Sequence, residues 1–286
     1  MSDPADNRQQ IRSTTFDLAQ VHTTLTTLID RLDSEAISGT DVILWGCPVP
    51  SFGDLSTSRV ATLGLNPSNR EFVDQAGEEL RGPFRRFHTL NSLRLKSWSD
   101  VDARHLRLIL ETCRSYFLGN PYDAWFKKLD LVVSGADASY YDALSGACHL
   151  DLIPYATTRK WTELNGPQRS LLLGVASDTL GLLLRASPVR ILILNGRSVV
   201  DQFQDIADIH MDTQEMPGWA LPRRSGPNLV GFAYKGMVET VSGIDLGRRL
   251  LVLGFNHNLQ SSFGVTATVV HAIRDWVAKT ANEAIE

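Results

Sequence analysis

Four short stretches of this chain end an apolar run in polar side chains, the pattern of strands that deliver groups to a ligand. In RVATLGLNPSN, residues 59–69, the run stops abruptly at Gly64, Asn66 and Pro67, so a buried strand would carry one carboxamide to an edge. In LLVLGFNHNLQSS, residues 250–262, a matching junction delivers Asn256 and His257, with Ser261 and Ser262 close behind. ACHLDLIP sets Asp151 ahead of Tyr155 and Thr157, and the run at 189–194 ends in Asn195 and Arg197. Amides, one acid and one histidine suit orienting a water and stabilising a leaving group. No serine sits in a Gly-x-Ser-x-Gly elbow, and no cysteine stands at a strand end beside a base. A covalent enzyme intermediate is therefore not indicated, and hydrolysis is the natural inference. The absence of a GxGxxG or P-loop sequence weighs against dinucleotide and nucleoside-triphosphate chemistry.

For these loops to meet, their strands must run parallel, so that all four open on one edge. The spacing predicts strands over residues 59–65, 147–153, 189–194 and 250–255, separated mostly by helical segments. That alternation implies an α/β fold: a three-layer α/β/α sandwich around a central, four-stranded, mainly parallel sheet. An amphipathic helix is expected over 16–32, and others around 71–80, 102–116, from about 124, over 167–184, over 198–206 and over 265–281. A short apolar run at 42–45 leads into a stiff, proline-rich loop at 46–53. Asn120-Pro121 reads as a turn, and residues 222–244 as a hairpin around Lys235-Gly236. Residues 1–12 are polar and expected to be disordered, leaving 13–286 as one domain.

Composition narrows the function further. A chain of 286 residues, 43% hydrophobic, is long enough for a large single core. Its net charge of -4 makes no global case for nucleic acid, so any contact with DNA must come from local clusters such as Arg81, Arg85, Arg86 and Arg94. Three scattered cysteines, Cys47, Cys113 and Cys148, are too few for a four-thiolate metal site and read as buried reduced thiols. No metal or other cofactor is expected. The polar, acidic N-terminus lacks the order of a secretory signal, and no apolar run approaches the length that spans a bilayer, so a cytoplasmic protein is expected.

These residues also carry a family resemblance. Gly64-Leu65-Asn66-Pro67-Ser68 resembles the first motif of the uracil-DNA glycosylase superfamily, especially its Gly-Ile-Asn-Pro-Gly and Gly-Met-Asn-Pro-Gly forms. His257-Asn258-Leu259-Gln260-Ser261-Ser262 resembles a variant of the second motif, His-Pro-Ser-Pro followed by a wedge residue. Pro48-Val49-Pro50-Ser51 stands where these enzymes carry a loop that presses on the DNA backbone. The resemblance spans about residues 42–281 and implies a monofunctional DNA glycosylase that flips its target base. Asn66 would hold the attacking water, and His257 would donate toward the base carbonyl. Leu259 or Gln260 would fill the gap left in the duplex, while Ser261, Ser262, Pro48, Pro50 and Ser51 would contact the backbone. Phe72 would stack on the flipped base beside Gly64. No lysine matches a catalytic position, so no strand cleavage is expected.

Asp151 departs from the pattern that this resemblance implies. Uracil-reading members place an asparagine in the corresponding segment, able both to accept from N3–H and to donate to O4. An ionised aspartate only accepts, which fits the exocyclic amine of a cytosine-type edge. A glycosylase for plain cytosine would destroy its own genome, so the base must be modified. The chain resembles bacterial antiviral glycosylases that excise glucosylated hydroxymethylcytosine from phage DNA. The sugar would lie against residues 81–94, residues 155–161, or the segment around Tyr234 and Lys235; the sequence leaves that choice open. Three other readings stay open as well: a repair enzyme for uracil or mismatched thymine, a catalytically silent nucleic-acid binder, and a hydrolase or transferase of small nucleotides.

Overall fold

The apolar run at the start of the first motif becomes β1 (Val60–Gly64), paired in parallel with β2 (Ala147–Asp151) on one side and β3 (Ile191–Asn195) on the other. β3 pairs in parallel with β6 (Ile244–Phe255). Strands covered on both faces carry side chains into apolar surroundings at every position, and Ala61, Leu63, Cys148, Leu150, Leu192 and Leu194 are all fully buried. This is the four-stranded parallel core that the sequence predicts. Two antiparallel strands, β5 (Phe232–Val241) and β4 (Asp212–Glu215), extend it to six in the order β2-β1-β3-β6-β5-β4. The computed structural model describes residues 16–37, 39–119, 123–142, 146–223, 225–260 and 263–284. The expected disorder of residues 1–12 and the turn at Asn120-Pro121 lie outside the described residues.

Helices flank the sheet. α1 (Leu18–Leu32) starts where Asp17 Oδ1 accepts from the Gln20 N–H and packs on α6 (Thr179–Ala186). Arg31 grips Asp178 with both guanidinium nitrogens at 3.0 Å, tying the end of α1 to the start of α6. A short α2 (Leu90–Leu93) precedes α3 (Ala103–Arg114), which opens on an Asp102–His105 capping box. α4 (Asp123–Val133) packs against β1 and against α8 (Ala267–Glu283), which also meets β6. α5 (Gly166–Val175) and α7 (Arg197–Ala207) complete the set, and no helix among the described residues is long and apolar enough to cross a membrane.

Three local expectations are corrected. Residues 71–80 form no α-helix: a 3-10 turn ends at Glu71, Asp74 Oδ1 accepts from the N–H groups of Ala76 and Glu78, Gly77 takes φ +86, and the chain doubles back so that Val73 bridges Glu79. The single helix expected over 167–184 is two helices, α5 and α6. Lys235-Gly236 lies within β5, and the turn falls at Ser242-Gly243, whose φ angles of 53 and 74 suit a two-residue hairpin. β4 went unread because all four of its side chains are exposed and polar, so it carries no apolar pattern.

Candidate active site at the carboxyl edge of the parallel strands

All four parallel strands end at one cavity of about 410 Å³. Gly64 and Asn66 enter it from β1, His149 and Asp151 from β2, Asn195 and Arg197 from β3 and α7, and Asn256 and Asn258 from beyond β6. Phe52, Trp125, Phe126 and Trp161 supply aromatic wall, and Glu71 reaches in from the segment after Pro67. A mostly apolar concavity with a few converging polar groups is the usual form of a small-ligand site.

The orientation of the Asn66 amide follows from its neighbours. Nδ2 lies 2.9 Å from Thr157 Oγ1, 3.2 Å from the Pro67 carbonyl and 3.4 Å from the Tyr155 carbonyl. Two of these are carbonyls, which only accept, and Thr157 spends its own hydrogen on the Arg159 carbonyl at 2.7 Å. All three therefore require the NH2 end, and Oδ1 is left without a partner among the described residues at the cavity wall. An amide fixed in this way presents an acceptor to a water.

Asp151 sits at the cavity floor, buried, with Oδ1 3.4 Å from His149 Nε2. Gly64 is its register partner on β1, and a Cβ there would come within 2.5 Å of Asp151 Oδ1 and 2.9 Å of His149 Nε2. Gly64 thus leaves the room in which the acid and the imidazole meet. Glu71 is the second carboxyl of the cavity, accepting from Tyr116 Oη at 3.0 Å, with Arg86 Nη1 3.8 Å from Oε1. Burial, only partly offset by Arg86 and Tyr116, pushes its carboxyl up to about 7. Sequence reasoning missed Glu71, since a lone acid between Arg70 and Phe72 looks like any solvated position.

Several expected site residues are elsewhere. His257 is fully buried and does not line the cavity. Its Nε2 lies 2.7 Å from the Trp219 carbonyl, so Nε2 carries the hydrogen and gives it to backbone. Nδ1 is buried with no partner among the described residues, and burial holds the ring below the usual histidine range. A neutral ring with its one hydrogen spent cannot donate to a departing base, so that role is withdrawn. Phe72 is core: it meets Trp45 edge-on and lies against Phe87, and does not line the cavity.

The proline loop is also packed inward. Pro48, Pro50 and Ser51 are buried, with the Val49 N–H on the Pro154 carbonyl and Ser51 Oγ on the Gly53 carbonyl, so they meet protein rather than a DNA backbone. Their effect is to set Phe52 against β2, where it exchanges both backbone hydrogen bonds with His149. Leu259 is 1% exposed and cannot act as a wedge from this position. Gln260 takes the Asn195 Nδ2 hydrogen at 2.8 Å and donates to the Trp125 carbonyl at 3.1 Å, bridging β3 to α4. Ser261 and Ser262 lie outside the described residues.

No protein-family model matches the chain, and no curated protein matches it. Gly64, Asn66 and Asp151 are thus the expected site residues that the fold brings together, joined by His149, Glu71 and an aromatic wall. Of the three segments considered for a base-attached sugar, 155–161 reaches the cavity through Trp161, beside Thr162. Tyr234 touches it only indirectly, by accepting from Arg197 at 3.4 Å, and no arginine of residues 81–94 lines it. Arg197 opens α7 and is paired with Asp201 at 2.7 Å, so what this wall offers an anion is the first turn of α7, which faces the cavity with no side-chain cap.

Proposed function

We propose that this chain is a monofunctional DNA glycosylase that hydrolyses the bond between deoxyribose and a modified cytosine, glucosylated 5-hydroxymethylcytosine in phage DNA being the favoured substrate. One observation carries the reading: Asn66 spends its amide nitrogen on three protein acceptors, and its carbonyl oxygen, with no partner among the described residues, stays open to the cavity that Asp151 also lines.

In this reading the target nucleotide leaves the stack and its base enters the cavity. The exocyclic amine of the cytosine edge donates to Asp151. Glu71, which holds its proton up to about 7, donates to an acceptor on the ring or its carbonyl, the task that His257 cannot perform. As the glycosidic bond breaks, its electron pair leaves with the base, where the Glu71 hydrogen bond stabilises it. The water held by Asn66 Oδ1 adds to the anomeric carbon and releases its surplus proton to solvent. An abasic site remains with the strand intact. The amino end of α7 and Arg197 suit a flanking phosphate. A single pyrimidine ring leaves much of the 410 Å³ unfilled, and the remaining wall of Trp161, Thr162, Arg197 and Asn258 has the mixed aromatic and polar character that a sugar needs.

Abasic-site formation on three DNAs tests this: unmodified, uracil-containing, and phage DNA bearing glucosylated hydroxymethylcytosine, each with and without alkali. The expected result is sites in the phage DNA far in excess of those in uracil DNA, and none in unmodified DNA, with breaks only after alkali. Sites in uracil DNA alone would make the chain a repair enzyme, and no sites in any DNA would remove the glycosylase reading. Binding to each DNA should weaken steeply with salt if phosphate contacts hold the complex.

A further inference from the structure

Beneath the cavity, one face of β1 and β2 carries a line of buried polar side chains that the reaction above does not use. Thr62 and His149 are register partners across the two strands. Thr62 Oγ1 lies 2.7 Å from His149 Nδ1 and 2.5 Å from Tyr140 Oη, and all three residues are buried. On the far side of the ring, His149 Nε2 lies 3.4 Å from Asp151 Oδ1. Phe52, Trp125 and Phe126 surround the imidazole with ring centroids 5.3–5.5 Å away, closing this line to solvent.

The direction of each hydrogen bond can be worked out. Burial pushes the Tyr140 phenol far above its ordinary range, so it keeps its hydrogen, and Thr62 Oγ1 is the acceptor it meets. Thr62, having accepted, passes its own single hydrogen to His149 Nδ1. A ring that accepts at Nδ1 carries its hydrogen at Nε2, the nitrogen 3.4 Å from Asp151 Oδ1. Tyr140, Thr62 and His149 then form one directed hydrogen-bonded chain that ends beside Asp151, an approach possible because residue 64 has no Cβ.

We propose that Tyr140, Thr62 and His149 are a positioning relay that holds one oxygen of Asp151 and thereby makes the cavity choose an amine-bearing pyrimidine over its oxo counterpart. The choice of base rests on the glycosylase reading above. Its chemistry is that of a carboxyl group with two possible states. Ionised, Asp151 only accepts and so pairs with an exocyclic amine. Protonated, it would donate to a carbonyl and read uracil. With the ring edge of His149 set against Oδ1, Oδ2, which has no protein partner among the described residues, is the oxygen left for the base. The titratable groups that face Asp151 are His149 on its own strand and Glu71 across the cavity, whose carboxyl burial pushes up to about 7.

Two measurements test the relay. The first is the ratio of base-release rates, glucosylated hydroxymethylcytosine over uracil, for wild type, Thr62→Val, Thr62→Ser and Tyr140→Phe. Thr62→Val should lower the ratio by about tenfold, as expected for a bond to a charged group loosened at one remove, while Thr62→Ser restores it and Tyr140→Phe falls between. The second is the nitrogen-15 shift pattern of His149, which should be that of the Nε2–H tautomer in wild type and change in Thr62→Val. Active enzyme with ratios within twofold in both Thr62→Val and Tyr140→Phe would overturn the proposal, as would an Nδ1–H tautomer in wild type. If wild type releases no base from any DNA, the glycosylase reading fails and the role in base choice with it, whereas the tautomer still decides whether the relay exists. The tautomer needs only folded wild-type protein, so a misfolded variant does not block the test.

Discussion

The exit of β1 and the exit of β6 look alike as sequence: an apolar strand ends in an asparagine, and the chain turns within a few residues. They differ in what remains once the protein has made its own hydrogen bonds. Asn66 keeps an acceptor in hand. At the β6 exit the protein's own hydrogen bonds consume nearly everything. Asn256 takes the Phe232 N–H and gives its amide hydrogen to the Val230 carbonyl, both at 2.8 Å, extending the β5–β6 pairing past its end. His257 is spent on Trp219, and Asn195 and Gln260 are spent on each other and on Trp125. The first exit leaves a group open to the cavity, the one that the proposed reaction uses, and the second fastens the hairpin, the 219 segment and α4 together. A polar side chain at a strand end can do chemistry only with a donor or acceptor that the fold has not claimed.

Four substitutions would break or sharpen this contrast. The largest effect is expected of Asn66→Ala, which should slow single-turnover base release by about 10²–10³-fold with little change in thermal midpoint. Undiminished release would leave the two exits equivalent. Asp151→Asn should shift preference from a cytosine-derived base toward uracil by roughly 10–100-fold, read on paired substrates; a shift the other way would remove the assignment of the cavity floor.

Glu71→Gln separates the cavity from the fastening through pH. The folded-state value of about 7 lies above the ordinary glutamate value of 4.5, so the folded protein holds this proton more tightly. That stabilisation is present in full below about 4.5 and is lost as pH rises through about 7. Relative to wild type, Glu71→Gln should therefore gain stability between those values, by about 1–3 kcal/mol in denaturant titrations. A pH-independent difference would mean that the carboxyl titrates normally. His257→Ala should have the smallest effect on chemistry: about 1–2 kcal/mol of stability lost, with release per folded molecule within threefold. Lost activity at unchanged stability would return His257 to catalysis and erase the contrast.

Much of the fold is legible in the residues. β1, β2 and β3 and the core of β6 stand where their apolar runs do, because burial on both faces leaves no room for polar alternation. α1 and α8 are equally clear from their amphipathic spacing. The segment after Asn66 was not legible, since Asp74 and Gly77 built a turn where the residue spacing suggested a helix. In the site, Asn66 was readable because it ends an apolar run, and Asp151 because it interrupts one in the segment that the family resemblance points to. Glu71 and the Tyr140–Thr62–His149 line were not, because an acid in a polar stretch, or a threonine and a histidine inside apolar strands, have no spacing that announces a cavity.

What the sequence by itself determined, then, was a parallel sheet whose polar strand ends share one edge, since continuous apolar runs can be satisfied only by burial between helices. The tertiary structure alone decided which of those polar groups stay available. The partners that claim or release them, Tyr155 and Thr157 for Asn66, Trp219 for His257, Trp125 for Gln260, come from segments distant in the chain, and a hydrogen bond is set by where two atoms meet in space.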